Sequence, residues 1–116
     1  MFIEVLKSKI GHAVITQAEL KYEGSITIDA DILKAAGIIP GEKVHVLNES
    51  TGNRLETYVI AGNPASGVIC LNGPAARQGF VGDRLIILSY VLLEAAQAKS
   101  FAPKIIYLDS RNKIKK

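Results

Sequence analysis

Apolar and polar positions alternate along this chain in short blocks separated by turn residues. Phe2–Leu6 and Ala13–Thr16 each read as a short strand. Ser25–Ile28 alternates and is β-branched, the pattern of a further strand. A short helix follows: Asp29 is placed to cap it, Ile28 and Leu33 stand at hydrophobic-staple spacing, and Gly37 closes it. Pro40-Gly41 marks a turn. Lys43–Leu47 and Arg54–Ile60 flank Ser50-Thr51-Gly52-Asn53 and predict a hairpin. Val68–Leu71 is an apolar strand that runs into Asn72-Gly73-Pro74, a tight turn. Leu85–Leu93, nearly unbroken in its apolar character, is the long central strand. Glu94–Lys99 has room for one or two helical turns, and Pro103 opens a last strand, Lys104–Leu108. Six to eight short strands with one or two short helices predict a mainly β barrel or sandwich.

One internal echo refines that expectation. Ile39-Pro40-Gly41-Glu42-Lys43-Val44 resembles Phe80-Val81-Gly82-Asp83-Arg84-Leu85 at an offset of 41 residues. Both carry apolar, turn, Gly, acid, base and aliphatic positions in register. Each follows an Ala-rich stretch and leads into an apolar strand. Gly-acid turns also recur by chance, but two such copies suggest a barrel built of two similar halves.

The chain of 116 residues is one domain by length, long enough to bury roughly two-thirds of its unfolded surface. Apolar residues make up 48% and charged residues 22%, which excludes a disordered chain. Aromatics are only 6% and Trp is absent, so the core must be aliphatic. The formal charge of +3 hints at nucleic acid, but Arg111 to Lys116 hold four of the cations. The remainder has ten basic and eleven acidic residues, a net charge of −1. The expected organisation is therefore a barrel domain over 1–110 and a basic, solvated tail over 111–116. Leu85–Leu93 is about half a membrane span, and Met1–Lys9 lacks an apolar signal region. The single cysteine, Cys70, permits no internal disulfide. A cytoplasmic protein with no membrane or nucleic-acid partner is expected.

Little in the chain suits catalysis by ordinary side chains. There is no Ser/His/acid arrangement, carboxylate dyad or phosphate loop, and with two histidines and one cysteine no metal site is expected. Cys70, within an apolar strand, reads as a small core residue. His12 and His45 read as surface or capping residues. Gly24-Ser25, at the entrance to a strand, is ordinarily only a turn. Its chemistry allows more, because Gly tolerates strained dihedrals and the Ser25 hydroxyl lies beside the Gly24 carbonyl. Attack there would rearrange the amide to an ester.

Several segments together carry a resemblance. They are Ser8-Lys9-Ile10, Tyr22-Glu23-Gly24-Ser25-Ile26-Thr27-Ile28-Asp29, Gly52-Asn53-Arg54-Leu55-Glu56-Thr57-Tyr58, Gly67-Val68-Ile69-Cys70-Leu71-Asn72-Gly73, and Ala75-Ala76-Arg77 with Gly82-Asp83. In order and spacing, from Lys9 to about Asn112, the chain resembles the aspartate 1-decarboxylase family. The resemblance implies a double-psi β-barrel, which agrees with the two-half echo. It implies that Ser25 attacks the Gly24 carbonyl, that the ester eliminates to a dehydroalanine, and that hydrolysis leaves a pyruvoyl group. The chain would then consist of pieces 1–24 and 25–116. The covalent pyruvoyl cofactor would form a Schiff base with L-aspartate and accept electrons as CO2 leaves, giving β-alanine for pantothenate (coenzyme A) biosynthesis.

The resemblance also implies roles for other residues. Arg54 and Tyr58, at i and i+4 on one strand, share a face. Arg54 suits a substrate carboxylate, since a guanidinium binds both oxygens, and a solvated strand arginine is its plain alternative. Tyr58 matches the family's proton donor. Lys9 would add a second cation, Tyr22 would line the cleft, and Gly73, Pro74 and Ala75 match a substrate-binding turn. Thr57 and Asn72 match positions that hold the scissile carbonyl, although alternation puts Thr57 on the face opposite Tyr58. A homotetramer with sites between subunits is implied, and a maturation factor for cleavage is a further partner that the reading allows.

Two positions depart from the family. Gly11 stands where a histidine is usual, with His12 one place later. Pro74 stands where Ala is usual, and proline has no N–H to donate. The alternatives are a non-catalytic small β-barrel binding module, or a scaffold of the same fold. The near-neutral remainder and the lack of an aromatic stacking stripe count against the nucleic-acid version.

Overall fold

A computed structural model describes every residue from Met1 to Lys116. Eight strands form one sheet: β1 (Phe2–Val14), β2 (Gln17–Glu19), β3 (Ser25–Asp29), β4 (Lys43–Asn48), β5 (Arg54–Gly62), β6 (Ile69–Asn72), β7 (Arg84–Glu94) and β8 (Lys104–Tyr107). Two short helices, α1 (Ala30–Ala36) and α2 (Ala95–Ala98), and a 3₁₀ helix over Gly73–Gln78 complete the fold. The strand order is β2-β6-β3-β5-β4-β7-β1-β8. β1 and β2 lie near opposite ends of that order, yet only Ile15 and Thr16 separate them. Three chain steps span at most about 10 Å, so the sheet must roll until its ends meet. This is the mainly β barrel with short helices that the sequence predicts.

The core is aliphatic, as composition requires. Eighteen buried apolar residues form one cluster, among them Ile10, Ile26, Ile28, Val44, Val46, Val59, Ile69, Leu71, Leu85 and Ile87, and none is aromatic. Strand alternation accounts for most of them. Ile26 pairs with Val59 on β5 and with Leu71 on β6, so all three point inward.

The structure corrects several expected boundaries. Phe2–Leu6 and Ala13–Thr16 are not separate strands; β1 runs through Phe2–Val14 against β7, and its register slips between Leu6 and Ser8 and again between Ile10 and Ala13. Each slip resets the alternation, so one strand looks like two interrupted ones. The second slip contains His12, whose φ is 60°. Asn72-Gly73-Pro74 is not a tight turn. Asn72 ends β6, and the chain then coils as 3₁₀ helix with Pro74 in its first turn, where a missing N–H costs nothing. β2 is short, exposed and without periodic signal. The basic segment is tied to the barrel. Asn112 is buried, its amide donating to the carbonyls of Val14 and Gly67 (both 2.8 Å), and Ile114 bridges to Leu108. The side chains of Arg111, Lys113, Lys115 and Lys116 remain exposed.

The internal echo is structural. In the first copy the Ile39 N–H donates to the Glu42 carboxylate (3.1 Å), and the Gly41 N–H to the Val59 carbonyl (2.8 Å). In the second, the Phe80 N–H donates to the Asp83 carboxylate (2.9 Å) and the Gly82 N–H to the Ile15 carbonyl (2.8 Å). The N–H groups of Val59 and Ile15 return bonds to the carbonyls of Glu42 and Asp83 at 3.1 and 2.9 Å. Gly41 and Gly82 have φ of 88° and 97°, which explains glycine at both places. The strands that follow, β4 and β7, pair antiparallel across the centre of the sheet. The Phe80 N–H, then the Asn48 amide, hold the Asp83 carboxyl below the usual carboxylate range. Because that shift is downward, the turn's contribution holds above the ordinary carboxylate range and is lost as pH falls through the lowered value.

Asp29 joins the helix to the rest of the barrel. Its carboxylate accepts from the N–H groups of Asp31 (2.8 Å), Ala65 (3.0 Å) and Gly67 (2.8 Å). The first bond caps α1, and Gly37, at φ 72°, ends it. Asp29→Ala removes the cap and leaves loop amides without an acceptor. It should lower the unfolding free energy by about 3 kcal/mol in urea denaturation. An unchanged midpoint would show that water replaces the carboxylate at no cost.

Candidate active site around Ser25

Ser25 opens β3 and is fully buried. Because Ile26 and Ile28 point into the core, Ser25, Thr27 and Asp29 point to the other face of the strand. Antiparallel β6 places Asn72 opposite Ser25 and Cys70 opposite Thr27. These four side chains form one hydrogen-bonded group. The Asn72 amide nitrogen donates to Ser25 Oγ and to Thr27 Oγ1, both at 2.9 Å. The Cys70 thiol donates to Asn72 Oδ1 at 3.2 Å. Burial, and then the nearby charge of Glu19, push the Cys70 thiol above its usual pKa. The Ser25 hydroxyl donates only weakly, to the Glu23 carbonyl at 3.5 Å.

The segment before Ser25 lies against the 3₁₀ helix. Gly73 has a φ of 64°, and a Cβ there would stand 2.4 Å from the Tyr22 carbonyl oxygen and 2.9 Å from the Gly24 nitrogen. Gly73 thus lets the backbone of residues 22–24 lie directly on the turn. Gly24 is exposed, and its φ lies outside the left-handed region; the left-handed glycine at this site is Gly73. Pro74 sits beside it, 3.7 Å from where a Gly24 Cβ would be, and Ala75 is buried in the core.

β5 runs parallel to β3 on the side away from β6. Ile26 pairs with Val59, so Ser25 and Tyr58 come one position earlier on adjacent strands and on the same face. Tyr58 is 41% exposed and Arg54 is exposed on that face, four residues or about 13 Å along the strand. The β4·β5 ladder runs from Lys43↔Tyr58 to Leu47↔Arg54 with no slip. Thr57 therefore stays on the face opposite Tyr58, and no bulge carries it round. Lys9 lies on the outside of β1, paired with Leu88 and Ile105, four strand spacings from β3 in the sheet order. Tyr22 is 54% exposed. Within one chain, then, Ser25, Asn72, Gly73 and Tyr58 come together around the start of β3, while Arg54 lies about 13 Å along β5 and Lys9 is carried by a strand that does not pair with β3.

Cys70 and Thr27 belong to this group, and sequence alone does not single them out as chemical residues. Their spacing in each strand, two residues from Asn72 and from Ser25, puts each pair on one face. The pairing of β3 with β6 is the missing fact. No group of three His, Cys, Asp or Glu side chains is gathered for a metal ion, and no helix is long and apolar enough to cross a membrane.

The fold is a β barrel that buries a serine at a strand entrance, beside an amide and a close-packed glycine turn. Comparison with known proteins gives the class of this barrel. The aspartate decarboxylase family matches residues 1–115, and the chain belongs to it. It is similar to an aspartate 1-decarboxylase from Caldicellulosiruptor saccharolyticus, 55% identical over 116 residues, all of this chain and 91% of the relative. It is similar to one from Acetivibrio thermocellus, 53% identical over 114 residues, 98% of this chain and 90% of that one. A relative of the same name from Phocaeicola vulgatus is 53% identical over 115 residues, 98% of this chain and 99% of that one.

The packing at Gly73 can be separated from its dihedral. Gly52 has a similar φ of 77°, but nothing lies within 4 Å of where its Cβ would stand. Gly52→Ala should cost about 1 kcal/mol, the strain of a left-handed alanine. Gly73→Ala adds a clash with backbone and should cost at least about twice that. Equal losses in chemical denaturation would mean that residues 20–24 yield freely.

Proposed function

We propose that this chain is an aspartate 1-decarboxylase that cleaves itself between Gly24 and Ser25 and then converts L-aspartate to β-alanine and CO2 for pantothenate synthesis. The observation that carries the reading is the buried Ser25 hydroxyl, held by Asn72 and preceded by an exposed Gly24 whose backbone lies on Gly73. The hydroxyl gives its own proton only to a weak, long bond, so its oxygen is positioned without being engaged as a donor. Nothing larger than a serine-derived group needs room there, and Asn72 and Thr27 supply polar partners for one. The pyruvoyl group formed from Ser25 supplies an electrophilic carbonyl that takes the substrate amine and accepts the electrons released with CO2.

The chain's own residues bind and orient the substrate. L-Aspartate has two carboxylates, and only one departs. A cation clamped on the departing α-carboxylate would stabilise the ground state more than the transition state, because that charge disappears. Arg54 therefore holds the retained β-carboxylate, which keeps its charge throughout, and Lys9 stands by as a weaker point charge. Tyr58, on the face of Ser25, delivers a proton to the α-carbon after CO2 leaves. Tyr22 and the turn at Gly73, Pro74 and Ala75 line the cleft. With no N–H at Pro74, main-chain donation falls to Gly73 or Ala75. Asn72 serves processing through the Ser25 hydroxyl; Thr57, the other residue expected there, lies on the opposite face of β5 and does not share the face of Ser25 within one chain.

Arg54 stands about 13 Å along the strand direction from Ser25, which supports sites that lie between subunits; the assembly we propose is a homotetramer. A lone reduced thiol fits a cytoplasmic enzyme.

Two experiments test this reading. Purified mature wild type should separate by intact mass into pieces 1–24 and 25–116, while Ser25→Ala stays one inactive chain. Active protein of a single intact mass would refute it. Arg54→Lys should lower kcat/KM for L-aspartate at least about tenfold. A substrate analogue bound with its α-carboxylate on Arg54 would reverse the assignment.

A further inference from the structure

We propose that Cys70 and Thr27 are positioning residues for chain cleavage, fixing the side-chain amide of Asn72 so that its NH₂, and not its oxygen, faces Ser25. The inference rests on the self-cleavage just proposed and adds two residues to it. A carboxamide has two faces of nearly equal shape, one a donor and one an acceptor. Which face meets Ser25 is decided by what surrounds the other. Asn72 is 4% exposed, so water does not make the choice.

Two neighbours make it. Cys70 Sγ lies 3.2 Å from Asn72 Oδ1, and a thiol proton there requires the acceptor oxygen on its side. Thr27 Oγ1 lies 2.9 Å from Asn72 Nδ2 and takes one amide hydrogen, which leaves the other directed at Ser25 Oγ. All three hydrogen-bonding positions in use on Asn72 then have one partner each. Burial and the charge of Glu19 keep Cys70 in the protonated form that can donate. Turned over, the amide would set its oxygen against the thiol-free side and accept the Ser25 proton. The serine oxygen would then be held as a donor, pointing its hydrogen at Asn72, with its lone pairs unfixed.

The other partners of the sulfur are backbone groups, the Leu71 carbonyl at 3.8 Å and the backbone of Glu19, so Asn72 is its one side-chain partner. Thr27 likewise has no second partner; it needs to be a hydroxyl for Asn72, whereas packing alone would accept Val.

The test measures the cleavage rate of freshly made precursor by intact mass, with thermal midpoint recorded for each variant. Cys70→Ser keeps a donor and should cleave within about threefold of wild type. Cys70→Val and Thr27→Val remove a partner of Asn72 and should each slow cleavage at least about tenfold. If a Val variant folds poorly, Cys70→Ala gives the same loss of donor without added bulk. A purely structural role would track the midpoint and would not distinguish Ser from Val at equal stability. Cleavage of Cys70→Val or Cys70→Ala at the wild-type rate, or equal slowing in Cys70→Ser, overturns the proposal. Wild type that never cleaves removes the reading beneath it, a separate and visible result.

Discussion

β3 is buried on both of its faces, and the rest of the molecule accommodates that constraint. Ile26 and Ile28 fill the barrel interior, as alternation requires. The opposite face carries Ser25, Thr27 and Asp29, all polar. Buried polar groups without partners are costly, so each must be satisfied from a neighbouring element. Asn72 of β6 serves Ser25 and Thr27, and three backbone amides serve Asp29. The polar face of one five-residue strand thus sets what β6 presents, where α1 begins and how the 63–67 loop folds.

The two-half architecture makes such a strand possible. Matching turns at Ile39–Glu42 and Phe80–Asp83 each extend a ladder by reciprocal bonds, β4 with β5 through Val59 and β7 with β1 through Ile15. In the same sheet β3 lies between a parallel and an antiparallel partner. A strand at the edge of a sheet could not hold a serine fully out of water. The symmetry is therefore in the scaffold, whereas the chemistry belongs to one half only.

Much of this was legible in the residues. The Gly-acid echo is visible as a repeat, and the turn chemistry follows from it. The cap at Asp29, the stop at Gly37 and the hairpin around Ser50–Asn53 each have a local cause, and local causes can be read from a chain. What could not be read depends on pairing at long range. The β1 bulges hide a single strand, because a slip in register looks like a break in pattern. The role of Gly73 appears only when residues 22–24 are laid against it. Cys70 resembles any small core residue until β6 is paired with β3 and its sulfur meets Asn72. Local chemistry pointed to Gly24-Ser25, the resemblance to a known family supplied Asn72 and the role of Tyr58, and alternation within one strand supplied only that Arg54 and Tyr58 share a face.

The place of the proposed break agrees with the same frame. Residues 20–24 are exposed and give the core nothing, whereas Ser25 on the next position is buried. A cut between Gly24 and Ser25 removes one covalent bond at the rim and no buried contact. The first piece stays woven in, since β1 pairs with β7 and β8 along its length and puts Ile10, Ala13 and Ile15 in the core. Its end is further held by β2 against β6. The second piece keeps β3 between β5 and β6, so its new first residue stays fixed by its register with Asn72. Cleavage at this strand entrance would convert a buried hydroxyl into a buried chain end without loosening the barrel that aims it. A site within a strand would break a ladder, and one farther out in the loop would leave the new end free to move.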